Sequence, residues 1–517
     1  MYNGTAEQLY TSLESSRWNY LDRARDCSRL TIPYIMPEEG FGSHSRLNTP
    51  FQGVGARGTN NLASKLLLAL LPPNAPFFRF KVDERALKDE GAPPELLTEI
   101  EQTLREVEDH IMDEIAKDSY RVGLHEALKH LIITGNVLLY MPEDGGLRVF
   151  HLDRFVVQRD PMGNVLQIAT KEDIAYSALP QNVIDVIGNH DKGDDETCSL
   201  YTAVCREGDR WHIWQDINGV MIPDSEGYLK LDESPFIPLR WSTVHGSDYG
   251  RGYVEEYLGD LQSLEALTKA IVEGSAAAAK VLFMINPNGT TRPRTLSEAP
   301  NGAIVQGNQQ DVSVLQLNKF NDFRVAQETI AQIKERLAHS FLITSGQVRN
   351  AERVTAEEIR MLSQELEAAL GGLYSLLSSE MQLPMIKRLI YILNKTNKLP
   401  KLPEKLVEPV VVTGIEALGR GNDLQKLDMF LAGATQVVGP EALASFLNVG
   451  EYFTRRATAL GIKTDGLMKS QEEMQMEQQQ AQQMQMMQQL GPAGINAVSK
   501  NADTAQKLNA ETEQQSE

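Results

Sequence analysis

Cations are scarce in this chain. Its 517 residues hold 50 lysines and arginines against 70 aspartates and glutamates, a formal net charge of -20, and the sequence pI is about 5.0. Tight DNA binders gather cations to displace counterions from phosphate. This balance argues against a gene regulator and leaves room for a protein that lets DNA pass without gripping it. Cysteine is also rare. Cys27, Cys198 and Cys205 are too few for a disulfide framework and wrongly spaced for a zinc site, so they read as reduced thiols of a cytoplasmic product. No run of about 20 apolar residues occurs. The longest candidate, Ala276–Ile285, is broken by Lys280 and is too short to cross a bilayer. The opening Met1-Tyr-Asn-Gly-Thr-Ala-Glu7 lacks a basic segment before an apolar stretch, so no secretory signal is expected.

Recognisable catalytic patterns are missing as well. There is no G-x-S-x-G elbow and no G-x-x-x-x-G-K-[ST] loop. Gly53-Val-Gly-Ala-Arg-Gly58 satisfies G-x-G-x-x-G, but Asn48-Thr-Pro-Phe-Gln52 before it is not the buried strand a dinucleotide site needs. It reads instead as a glycine-rich approach to a packed helix. His125-Glu-Ala-Leu-Lys-His130 is one residue too long for the zinc-protease helix motif. At i and i+5 two ligands diverge by about 140°, and both histidines read as surface or edge residues. Asp194-Asp195 lies in a Gly/Asp/Lys-rich loop and reads as solvated. No catalytic residue, metal site or cofactor is expected.

What is present is a chain able to bury a core, with 42% hydrophobic and 23% charged residues. Its length predicts about three domains. Thr5-Ala-Glu-Gln8 has capping-box form and opens a helix carrying Leu9, Leu13 and Leu21. Further helices are expected over Asn60–Leu71, around Leu97–Ile115, and from Tyr120 to Thr134. From there to about Thr243 short apolar runs alternate with turn signals, which predicts antiparallel β structure. The runs are Val137–Met141, Leu147–Leu152, Phe155–Gln158, Leu200–Cys205, Trp211–Trp214, Tyr228–Leu231 and Phe236–Trp241.

Gly250–Lys280 then predicts one long helix of roughly 45 Å at about 1.5 Å per residue. Short strands are expected at Val281–Ile285, Ala303–Val305 and Val312–Leu317, and a returning helix over Asn321–Leu342. Paired antiparallel, the two helices would hold the β module away from the body. Thr355-Ala-Glu-Glu358 opens another long helix, kinked by Gly371-Gly372 and Pro384. Beyond Pro400-Lys-Leu-Pro403 the chain reads as helical, with a turn at Gly439-Pro440, and ends in a Gln/Met-rich tail over 471–517.

Several of these stretches carry a family resemblance. The run Arg46-Leu-Asn-Thr-Pro-Phe-Gln-Gly-Val-Gly-Ala-Arg-Gly-Thr-Asn-Asn-Leu-Ala-Ser-Lys-Leu-Leu-Leu-Ala-Leu-Leu-Pro-Pro73 resembles the portal, or head-to-tail connector, proteins of short-tailed bacteriophages. So do Pro235-Phe-Ile-Pro-Leu-Arg-Trp241, Tyr249-Gly-Arg-Gly252 and Gly346-Gln-Val-Arg-Asn-Ala-Glu-Arg-Val-Thr-Ala-Glu-Glu358, in the family's order. The resemblance covers roughly residues 1–460.

It implies an α+β fold that assembles as a dodecameric ring at one capsid vertex, through which double-stranded DNA is packaged and later ejected. The implied parts are a wing (1–248, with a long kinked helix over 355–400), a stem of two helices (249–280 and 321–343) and a β clip (281–320). A tunnel loop (344–354), a helical crown (401–470) and the tail complete it. Implied partners are the terminase large subunit, the tail adaptor, the major capsid protein, and scaffolding and internal core proteins, with no membrane. Assembly is expected in the host cytoplasm. Arg349, Asn350 and Arg353 would face DNA, and Asn286, Asn288, Arg292 and Arg294 are candidate clip contacts for partners. A nucleotide-dependent enzyme or a virion-internal, membrane-penetrating protein remains the alternative at this point.

Overall fold

The computed structural model describes residues 4–41, 45–72, 76–82, 94–117, 120–187, 196–278, 282–315, 320–343, most of 361–399, 407–411, 429–436 and 452. The chain divides into two compact units, Met1–Ala417 and Leu418–Glu517. In the second, 429–436 is helical. The tunnel loop with Arg349, Asn350 and Arg353, the Thr355 cap, Asp194-Asp195, Gly439-Pro440 and the Gln/Met tail lie outside the described residues.

Capping sets the first helix. In α1 (Ala6–Glu14) the Thr5 hydroxyl accepts from the Gln8 amide and the Gln8 side chain accepts from the Thr5 amide. A 3-10 turn leads into α2 (Trp18–Leu30). Helix α3 (Val54–Leu70) starts before the apolar run that predicts it, because Gly53 is its N-cap and Gly55 and Gly58 lie inside it. The glycine run is therefore helix and not a phosphate-holding loop. Strand β1 (Phe78–Val82) precedes α4 (Pro94–Lys117) and α5 (Tyr120–Thr134).

The β-rich region forms two antiparallel sheets. Strands β2 (Asn136–Tyr140) and β3 (Arg148–Phe150) belong to a three-stranded sheet, with β2 in its middle. Strands β4 (Phe155–Arg159) and β5 (Val165–Ala175) start the second sheet. After the short helix α6 (Gln181–Ile187) it continues with β6 (Thr197–Glu207), β7 (Arg210–Ile217), β8 (Val220–Met221) and β9 (Gly227–Lys230). Strand β10 (Phe236–Arg240) returns to pair with β2.

Strand alternation decides what covers the larger sheet. Val156, Ala169 and Ala203 pack with Ala6, Leu9 and Tyr10 of α1, while Val157, Ile168 and Val204 pack with Leu21 and Ala24 of α2. Asp216 of β7 fixes α1 by accepting from the Ala6 and Glu7 amides. Burial pushes its carboxyl pKa up, against the lowering effect of those two bonds.

Two helices and the β module follow. The expected single helix over 250–280 is broken into α7 (Tyr253–Glu256) and α8 (Leu258–Ala278) at Tyr257, whose φ of -109° and ψ of 12° depart from helix. Its ring is drawn into an aromatic cluster with Tyr253 and Phe341. Strands β11 (Leu282–Ile285) and β12 (Val312–Leu315) form an antiparallel pair, with helix α9 (Pro293–Ser297) between them. Ala303-Ile304-Val305 is not a strand, and the Ile304 side chain is wholly exposed. Helix α10 (Phe320–Ser340) returns.

In the kinked region the irregularity is a π turn over Ser378–Gln382, between α11 (Leu373–Leu377) and α12 (Leu383–Lys395). Pro384 follows directly on that π turn, after the Leu383 amide bonds to the Ser378 carbonyl, and its missing N–H leaves a gap in the ladder there. Directly after Pro403 the expected helix is absent over 407–411, whereas 429–436 is helical. The former stretch is β13 (Val407–Val411), paired antiparallel with β1. Its valines favour a pleated, half-buried setting, and its partner is too distant in sequence for local periodicity to reveal.

Candidate functional site: the junction of the paired helices with the body

Helices α8 and α10 run antiparallel. Near the body Arg336 forms a two-pronged ion pair with Asp260, 2.8 and 2.5 Å. Toward the β module Gly274 lies against the Phe323 ring, leaving no room for a larger residue. The Asp260–Arg336 and Gly274–Phe323 pairs fix opposite directions for the two rods.

The start of the first rod is locked by backbone crossing. Gly135, just after α5, has φ +77°, and a Cβ there would lie 2.4 Å from Arg251 C and Gly252 N. The Asn136 side chain replaces a backbone partner: Nδ2 donates to the Gly250 carbonyl and Oδ1 accepts from the Gly250 amide, each at 2.7 Å. Tyr253 then donates its hydroxyl to the Ser340 carbonyl at 2.8 Å, joining the start of the first rod to the end of the second.

The second rod ends on α3. Phe341 is fully buried and lies over Gly58, where a Cβ would stand 2.7 Å from Phe341 Cγ. Leu342 has a left-handed φ of 53°. Asn61 Nδ2 donates to the Phe341 and Leu342 carbonyls at 3.1 and 3.0 Å, and Lys65 Nζ donates to the Leu342 carbonyl at 3.0 Å. Lys65 also pairs with Glu365 at 3.5 Å, and burial lowers its pKa. The chain thus enters residues 344–354 from a clamped base. Phe341 is legible as an apolar residue in register on the returning helix, whereas Asn61, Lys65 and Asn136 are not singled out by sequence, although Gly53–Gly58 and Tyr249-Gly-Arg-Gly252 flag the segments they meet.

The β module is organised by one carboxylate. Asp311 accepts from the Thr290 amide (2.8 Å) and hydroxyl (3.2 Å) and from the Thr291 amide and hydroxyl (both 3.1 Å). Desolvation works against its charge, but these bonds outweigh it and hold the carboxyl below its ordinary range. A depressed carboxylate contributes stability that is complete above its unfolded pKa of about 4 and is lost as pH falls through the folded value. Hydrogen exchange at 290–291, corrected for intrinsic rates, is therefore expected to stay constant above about pH 5 and accelerate below about pH 4. Asp311→Ala should show the fast exchange at every pH.

All four candidate partner-contact residues are exposed. Asn286 Oδ1 accepts from the Asn288 amide at 3.1 Å within the turn. Arg292 occupies the N-cap position of α9 without a side-chain cap bond, and Arg294 forms an exposed ion pair with Glu298 at 2.9 Å.

The histidine expectation needs correcting. His130 is fully buried on α5 and is not a surface residue, because its position falls on the face that enters the main core with Leu128 and Leu131. His125 is half-buried and shares a hydrogen bond with the Ser64 hydroxyl at 3.2 Å. All three cysteines are buried and free, and burial pushes the Cys27 and Cys205 thiols up to about 12. No helix among the described residues is long and apolar enough to cross a membrane.

Comparison with known proteins places the chain as a whole among relatives. The family described as "Bacteriophage head to tail connecting protein" matches residues 3–468. The chain is 41% identical to the portal protein of Escherichia phage T7, covering 91% of this chain and 89% of that one. It is 40% identical to the portal protein of Enterobacteria phage T3, covering 97% and 95%. A chain in the neck of an empty gene transfer agent particle aligns over 80% of this chain and 90% of its own, at a TM-score of 0.36 and 12% identity, too distant to add to the argument. The matches to residues 3–468 and to the T7 and T3 proteins place this α+β chain in the bacteriophage head-to-tail connector family, the portal proteins of short-tailed phages.

Proposed function

We propose that about twelve copies close into a ring through which double-stranded DNA enters and leaves the capsid. Residues 1–248 with the helix over 355–400 form its wing, α7–α8 and α10 its stem, 281–320 its clip and 401–470 its crown. The clip docks the terminase large subunit and later the tail adaptor through Asn286, Asn288, Arg292 and Arg294. The capsid shell, scaffolding and internal core proteins contact the outer parts. The chain acts as a conduit and valve, while a separate motor supplies the energy.

The observation that carries the ring is the apolar surface left open on the single chain. Phe283 and Met284 of β11 are 64% and 50% exposed, and Val272 and Val325 on the two rods 49% and 61%. A lone two-stranded sheet is marginal in water, and neighbouring copies would cover these side chains. Twelve copies at -20 each carry -240. A duplex bears about one charge per 1.7 Å, so a mostly anionic lumen keeps contacts weak and the polymer mobile. Arg349 and Arg353, repeated around the axis with Asn350, then supply sparse short-range phosphate contacts. Arg349→Glu with Arg353→Glu is expected to leave ring assembly intact and lower packaged-genome yield. Wild-type yield would remove the tunnel-loop role. Deleting 471–517 should leave the ring formed, as seen by size-exclusion chromatography with light scattering.

A further inference from the structure

We propose that Glu126, His130 and His151 form a divalent-cation site, best matched to Zn2+, that staples α5 to the segment following β3. One ligand atom from each of the three residues lies within 4.8 Å of the others. Glu126 and His130 are four apart on α5 and so share a helix face, the spacing that His125 and His130 miss by one residue. His151 comes directly after β3, in extended conformation before a 3-10 turn over Leu152–Arg154.

The second observation is independent of that spacing. His130 is fully buried, yet neither Nδ1 nor Nε2 has a hydrogen-bond partner. A neutral imidazole carries one donor and one acceptor, and burying either unpaired is costly. Its ring centroid lies 4.4 Å from that of His151.

Two imidazoles and a carboxylate suit Zn2+. Tetrahedral bonds of about 2.0–2.1 Å place donors about 3.3 Å apart. The exposed Glu126 side chain has the freedom to swing in and close the set, leaving a fourth position for water. The staple would stiffen α5, whose C-terminal Gly135 is crossed by the start of the stem.

The test is Zn2+ titration by calorimetry into chelator-treated, untagged full-length protein, with Co2+ absorption reporting geometry. The expected result is one equivalent per chain and a tetrahedral Co2+ spectrum. Glu126→Gln and His151→Gln, which spare the buried His130, should each weaken binding tenfold or more, while His125→Gln binds like wild type. No saturable uptake, or uptake unchanged by Glu126→Gln and His151→Gln, would overturn the site and leave His130 and His151 as a pair bridged by buried water.

Discussion

Gly135→Ala is expected to abolish the folded junction, lowering stability by about 4 kcal/mol or more, in the range reserved for severe backbone conflicts. Two costs add. An alanine at φ +77° pays about 1–2 kcal/mol for the left-handed conformation. Its Cβ would also stand 2.4 Å from the backbone of Arg251 and Gly252, which cannot yield as a flexible side chain can. Moving that crossing segment would pull Gly250 away from Asn136 and break both of their 2.7 Å hydrogen bonds. Gly146 provides the control, with φ +84° and nothing within 4 Å of a Cβ. Gly146→Ala should pay only the conformational cost of about 1–2 kcal/mol. Urea denaturation of both variants checks the difference, and equal losses would show that the crossing does not restrain the stem.

Phe341→Ala should cost about 3–5 kcal/mol, the usual price of emptying a buried phenylalanine site. The ring is packed by Tyr253 and Tyr257, each with centroids 5.7 Å away, and by Gly58 beneath it. Those neighbours belong to the first rod and to α3, so the cavity opens where three segments meet. The loss should be local in effect. Hydrogen exchange is expected to rise at 253–257 and over the last turn of α10, while β4–β7 keep wild-type protection. Asn61 and Lys65 would still hold the Leu342 carbonyl, so Phe341→Ala combined with Asn61→Ala should lose more than either alone. Uniform acceleration across the chain would contradict this placement of the anchor.

These two sites show what the sequence could and could not convey. Helix α5 was legible over Tyr120–Thr134 because its apolar residues repeat at helical spacing and a glycine follows. The Thr5 cap was legible because its partner lies three residues away. Both signals are local. That Gly135 is crossed by Gly250–Gly252 is not local, and neither is the β1–β13 pairing, so the sequence predicts helix where a valine-rich strand forms. The two long rods and the β module between them were visible in outline, but the break at Tyr257 falls where its ring joins an aromatic cluster that includes Phe341 of the other rod, a contact no local pattern reveals. The i, i+5 spacing of His125 and His130 shows only that the two cannot share a helix face, which does not place His130 at the surface. Glu126 shares its helix face, but His151 meets it from another segment, a proximity that spacing along one helix does not reveal.

The central claim is that copies of this chain close around an open axis, covering the apolar residues that one copy leaves exposed on its rods and β module. Electron microscopy of the purified full-length protein tests it directly. Class averages should show annular particles of about twelve repeats with a central hole. A population made only of compact, solid single chains at high protein concentration would contradict it.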